Sequence, residues 1–474
     1  MAGDFQFISI QVNEPVKDKA TRRRARSHAL KKALERKRKD QQRSRTNFIP
    51  TTFKDPDIDP NFNDPAETAK PCTMTCTNPP APVYSPLSGA LDPFQTLAVD
   101  SSRLQALLGD YRARQAPEPV FSVAEELAFQ SFRSVFRTGF QDPALINAVM
   151  LTLAFAVTGG SLDRECLRYQ GQAITYIRER MDSEHDAASE AVIGAILLIA
   201  GVGARLGLKP QVELHMGAVQ QLLQICQRKS IHLTPGIQRA IFWQDLNSSL
   251  MVGSKRIVNH TTFAPLLWTR DAFVPNFYRL PPGFQSRSHI FEGEFRAVLE
   301  DLHALQCIRN IPRSSHIDAM GMLHINNHVA SIQSRLKALS GLSRLQECCR
   351  LAAYLCSMTL CCKIWCELVL PSHMSSQLLF NLRTLRDDAD AGAWDGDRDA
   401  DLLVWLLYIG GAFAPVGPVR SGYVNVLALD YPHISWASLH QCMRQFIWSD
   451  DAFLMPVRAL WAEVPQYHLR GVGV

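Results

Sequence analysis

Six of the twelve cysteines fall within residues 348–366, a concentration of thiols that would suit a metal centre or a redox pair if the sulfurs converged. On a helix-like run from Leu345 to Leu370, 3.6 residues per turn puts Cys348, Cys362 and Cys366 on one face and Cys349 with Cys356 on another. Cys361 adds no common face, so the spacing predicts small core residues rather than a site. Cys72-x3-Cys76 supplies half of a tetrahedral zinc set and has no nearby His or Cys to complete it. His324-x3-His328 has helical metal-ligand spacing, but Ile325 stands where a His-Glu-x-x-His protease carries its glutamate.

Phosphate and carboxylate chemistry is equally weakly encoded. Gly201-Val-Gly-Ala-Arg-Leu-Gly207 is spaced Gly-x-Gly-x3-Gly, and Lys209-Pro210 follows with no alternation of strand and helix around it. Close helix packing at the glycines is expected instead. Asp387-Asp388-Ala-Asp390 lacks the acid spacing that holds magnesium in helical prenyl-diphosphate enzymes and reads as an acidic loop. A Gly-x-Ser-x-Gly elbow and a Gly-x4-Gly-Lys-Ser/Thr loop are absent from the sequence. No catalytic residue, metal set or cofactor is predicted.

The strongest chemical signal is charge. Residues 17–45 hold 14 Lys and Arg against three acids, a local balance of +11 within a chain of net charge +5, which leaves −6 on the other 445 residues. The segment 21–39 has no Gly or Pro and is rich in helix formers. Its cationic residues Arg22, Arg23, Arg24, Arg26, Lys31, Lys32, Arg36, Lys37, Arg38 and Lys39, with His28, are the candidate site. Two short Lys/Arg runs are what a nuclear import receptor reads. The same charges would gain affinity for DNA by releasing phosphate counterions. A solvated tail without a partner is the third reading. No leucine heptads follow Lys39 and Pro50 interrupts the chain, so a zipper dimer is not expected.

Behind this arm, residues 46–100 carry ten prolines and little apolar periodicity. Such a segment cannot bury enough surface to offset its ordering entropy, and a disordered linker is predicted. From 101 to 470 apolar residues recur at helical spacing, as in Leu145, Ile146, Val149, Met150, Leu153, Ala154 and Val157, and in Leu214, Ala218, Val219, Leu222 and Leu223. Ser122-Val-Ala-Glu125 fits a capping box, while Asp142-Pro143 and Thr234-Pro235 place a cap before an N1 proline. The expected fold is all-α: one large helical domain of roughly a dozen helices, with a less regular connection over 253–290. The apolar runs 143–162, 191–204 and 402–419 are too short or too interrupted by Gly and Pro to span a bilayer. No membrane association, no secretory signal and reduced thiols in nucleus or cytosol are expected.

Several segments share their order with a known family. Phe5-Gln-Phe-Ile-Ser-Ile followed by Thr21-Arg-Arg-Arg-Ala-Arg-Ser-His28 resembles the start of filamentous-fungal proteins related to fungal-specific transcription factors. Glu213-Leu-His-Met-Gly-Ala-Val-Gln-Gln-Leu-Leu223, Phe242-Trp-Gln-Asp245, Leu403-Val-Trp-Leu-Leu-Tyr-Ile-Gly-Gly411 and Phe446-Ile-Trp-Ser-Asp450 with Leu460-Trp461 are similar to that family's helical regulatory domain. The likeness spans most of 5–30 and 120–462. It implies an all-helical regulatory domain, nuclear location and transcriptional regulation. The family's zinc cluster of six cysteines does not carry over, since only Cys72 and Cys76 precede residue 100. The expected function is therefore a nuclear, non-enzymatic regulator whose arm serves import and non-specific DNA contact. Its helical domain would bind protein partners or a small effector. A helical-bundle enzyme and a cytoplasmic scaffold are the competing readings.

Overall fold

Several helix starts in this chain are set by the side chain just ahead of the helix. Asp142 Oδ1 accepts the Leu145 amide at 3.0 Å, with Pro143 at N1. Asp163 accepts from Cys166, Ser189 from Val192, Thr234 from Ile237, and Ser343 forms a reciprocal capping box with Gln346. Each cap satisfies an amide that has no intrahelical partner and contributes about 1 kcal/mol. The two Asp/Thr-Pro starts expected from sequence are thus present.

The computed structural model describes residues 97–114, 141–182, 187–271, 275–311, 319–361, 369–389 and 399–470. All belong to one unit, Pro86–Val474. The basic arm, nearly all of the Pro-rich segment and the expected capping box at 122–125 lie outside the described residues. The described elements are helical and contain no strand. They begin with α1 (Ser101–Gly109), α2 (Tyr111–Arg114), α3 (Pro143–Val157), α4 (Arg164–Met181), α5 (Glu190–Arg205), α6 (Lys209–Arg228) and α7 (Pro235–Val252). After a connection come α8 (Pro282–Gln285), α9 (Gly293–Asn310), α10 (Ala319–Ala338), α11 (Arg344–Leu360) and α12 (Leu370–Ala389). Then follow α13 (Ala400–Ala412), α14 (Pro418–Asp430), α15 (Trp436–Met443) and α16 (Asp450–Arg470).

Two helices are apolar all round and act as hubs. α3 is buried from Ala144 to Phe155 and packs against α1, α2, α4 and α5. α13 is buried over Val404–Ala412 and packs against α11, α12, α14, α15 and α16. A helix without a polar face is stable in water only when enclosed by others. α7, which touches α5, α6, α10 and α12, joins the two sets. Among the described residues no helix is long and apolar enough to cross a membrane.

Three expectations are corrected. The buried stripe of α6 is Val212, Met216, Val219, Leu222 and Cys226, whereas Leu214 is 70% exposed. Val219 and Leu222 are common to both sets, and Ala218 and Leu223 pack partly buried against the core, so the correction falls on Leu214, whose expected place in the core is taken by Val212. The single helix expected from Leu345 to Leu370 is two, because α11 ends at Leu360 and α12 starts at Leu370. Asp387 and Asp388 belong to the last turn of α12 rather than to a loop.

The glycine segment 201–207 divides its labour. Gly203 brings α5 against α6, where an added Cβ would meet Val212 Cγ2 at 3.4 Å. Gly207, at φ +74°, forms the left-handed end of a Schellman motif in which Leu208 N–H donates to Gly203 O at 2.9 Å and Gly207 N–H to Ala204 O at 3.1 Å. The expected irregular connection is also present. Gly253 (φ +66°) ends α7, and short 3-10 turns at Ala264–Leu266 and Pro275–Phe277 precede α8.

Candidate functional site

Arg22, Arg23, Arg24, Arg26, His28, Lys31, Lys32, Arg36, Lys37, Arg38 and Lys39 all lie outside the described residues. Within the helical body, the polar groups that call for explanation gather where α7, α10 and the connection between α7 and α8 meet. α7 is buried on almost every side and still carries Arg239, Gln244, Asp245, Ser248 and Ser249 inside. Each must find its partner within the protein, because an unpaired polar group taken out of water costs roughly 1–3 kcal/mol.

Asp245 succeeds. Its carboxylate accepts from Arg256 Nε, from the Ile257 amide at 3.0 Å and from the Val258 amide at 3.4 Å. Burial pushes its pKa up, against the pull of Arg256 and the two amides. The contact folds the chain just beyond Gly253 back onto α7.

Arg239 is only partly satisfied. The side chain is 2% exposed. Nη1 donates to Asn326 Oδ1 at 2.9 Å, and Nη2 donates to Asn327 Oδ1 at 2.7 Å and to the Pro265 carbonyl. Asn327 Nδ2 in turn donates to Pro265 O at 3.0 Å and Leu267 O at 3.2 Å. These five residues fasten the 3-10 turn Ala264–Leu266 to α7 and α10. Every acceptor is neutral, Arg239 Nε and Asn326 Nδ2 have no partner, and no carboxylate among the described residues pairs with the guanidinium. Burial lowers the Arg239 pKa to about 10, so it remains cationic at neutral pH.

Next along α10, His328 is fully buried and stacked on Trp268, with ring centroids 3.9 Å apart and planes 9° from parallel. Neither imidazole nitrogen nor the Trp268 Nε1 has a hydrogen-bond partner. Burial, helped by the nearby His324, Arg335 and Arg270 charges and opposed by the Asp301 carbonyl, pushes the His328 pKa down to about 3. Beside it Asp301, 1% exposed, accepts from Arg270 Nε at 2.7 Å and from Arg335 Nη1. Those two arginines also pair with Glu300 and Glu294, so unlike Arg239 they are neutralised.

Among the described residues the thiols and the remaining histidines do not assemble into a reactive pair or a metal set. Cys307 Sγ lies 3.8 Å from His303 Nε2, but burial raises the thiol and lowers the imidazole, which keeps the pair neutral rather than thiolate–imidazolium. Cys348, Cys349 and Cys356 are buried in the core, with the Cys348 thiol pushed up to about 12. Cys362 and Cys366 lie outside the described residues. His324 is exposed and His328 enclosed, so the pair shares no metal. Among the described residues no group of three His, Cys, Asp or Glu side chains is placed to hold an ion.

The segments singled out in the sequence land on structural anchors. Trp405 is fully buried and donates Nε1–H to Ile447 O at 3.3 Å. Gly410 lies against Tyr423, whose hydroxyl donates to Ser375 O at 2.7 Å. Sequence reasoning missed the Arg239 node. Its one local signal is a lone arginine inside Ile237-Gln-Arg-Ala-Ile-Phe242; its partners are 26 and 87 residues away. Set beside family models, curated proteins and solved structures, the chain matches none of them.

Proposed function

We propose that this chain is a nuclear, non-enzymatic transcriptional regulator of the fungal-specific type, with a cationic arm for nuclear import and DNA contact and a helical body that receives a partner or small effector. The observation that carries the reading is the separation of charge: +11 on residues 17–45 against −6 on the rest. A uniformly basic protein would bind polyanions with its whole surface, whereas a negative body leaves the arm as the one region suited to a phosphate backbone. The all-helical body and the order of its motif segments are consistent with the family resemblance. The neutral Cys307–His303 pair and the core cysteines offer no activated nucleophile.

The test replaces the ten arm Lys and Arg residues of the candidate site with Gln in a fluorescent fusion of the full chain. Nuclear accumulation is expected to be lost, while expression and solubility stay unchanged. Undiminished nuclear accumulation of the variant overturns the import role.

A further inference from the structure

Arg239 presents a buried positive charge that the described protein does not neutralise. Interiors pair such charges or exclude them, because an uncompensated buried ion is among the costliest features a fold can carry. Three of the five guanidinium N–H groups are taken up by Asn326, Asn327 and Pro265. The unspent groups at this contact are donors, Arg239 Nε–H with the second Nη1–H and Asn326 Nδ2–H, on the two partners of one 2.9 Å hydrogen bond. What is missing is therefore an acceptor with negative charge.

We propose that the Arg239–Asn326 node, beneath the Pro265–Trp268 segment, is a binding site for a small organic monocarboxylate. The charge count selects the class. One unpaired cation balances one anion, and the nearby Arg270 and Arg335 are already committed to Asp301, Glu300 and Glu294. A phosphate dianion would carry a second charge into the same enclosed place with nothing to meet it. Leu266 and Ile325, next in sequence to Pro265 and Asn326, are buried in the apolar core, so the charge at Arg239 is set in a largely apolar part of the body. The cover is one irregular segment with a single 3-10 turn, and its Leu267 is 54% exposed. Entry thus requires displacing a short strap rather than a helix.

This gives the body an effector and rests on the proposed function only for its use. Binding at Arg239 is measured without reference to the arm or to DNA, so the two readings fail separately. The experiment is thermal denaturation and calorimetric titration of the purified full chain with acetate, benzoate and inorganic phosphate, each at ionic strength matched with sodium chloride. Benzoate or acetate is expected to raise Tm above the chloride reference and phosphate is not. Arg239→Met is expected to abolish the response. Should that variant not fold, Asn326→Leu is expected to weaken carboxylate affinity about tenfold through loss of one charge-assisted donor. No response to either carboxylate, a response equalled by phosphate, a response that survives Arg239→Met, or unchanged affinity in Asn326→Leu overturns the proposal.

Discussion

Replacing His328 with Phe isolates the energetic consequence of burying an imidazole without a hydrogen-bond partner. Phe keeps a flat ring against Trp268, where the native stack is 3.9 Å between centroids, and removes two ring nitrogens that meet no partner. The sign of the pH effect follows from the depressed pKa, about 3 when folded against 6.5 for an ordinary histidine. Above pH 6.5 the ring is neutral in both states and titration contributes nothing. Below it the unfolded chain takes up a proton that the folded chain refuses, so stability falls until pH approaches 3. The slope rises towards ~1.4 kcal/mol per pH unit below the unfolded pKa, which makes the His328 share of the loss about 2 kcal/mol between pH 6.5 and pH 4.5. His215, His260, His303 and His373 are depressed in the same direction and form a background common to both proteins. Urea unfolding followed by tryptophan fluorescence at pH 7.5, 6.5, 5.5 and 4.5 gives the difference. The curve for His328→Phe should be flatter on the acid side by about that amount. Parallel curves across the window would refute the reasoning.

Three further outcomes follow from the packing. Asp245→Ala strands Arg256 and two backbone amides, and a loss of about 3–5 kcal/mol is expected in urea denaturation; a loss below ~1 kcal/mol would contradict the buried pair. Gly217→Ala, inside α6 with open space around an added Cβ, should stabilise by about 0.5–1 kcal/mol from helix propensity. Gly283→Ala would set a Cβ 2.5 Å from the Phe446 ring, itself held by Phe284 and Trp405, and should cost ~1–3 kcal/mol. A gain at Gly283 or a loss at Gly217 would show that the backbone relaxes differently from this account.

What the sequence made readable was what is encoded locally. The caps at Asp142 and Thr234 act within three residues of the helices they start, and Gly253 and Gly207 end theirs by their own backbone conformation. The all-helical class followed from periodicity summed over hundreds of residues, which tolerates single errors. Which of Leu214 and Val212 on α6 is covered was not readable, since both are apolar and packing against α5 and α7 decides it. Nor was the break after Leu360 within the cysteine run. The Arg239 node was invisible for a related reason: a guanidinium, two asparagines and a proline carbonyl carry no spacing rule until the chain brings 239, 265, 326 and 327 together. The arm is the reverse case, legible as charge alone.

The central claim, a DNA-associated regulator reached through the arm, is tested most directly by genome-wide chromatin occupancy of the tagged full chain alongside the arm-neutralised variant. The account predicts chromatin association of the native chain above background and its loss in the variant. An equal pattern in both proteins, or no chromatin signal from a native chain that is stably expressed, would contradict it.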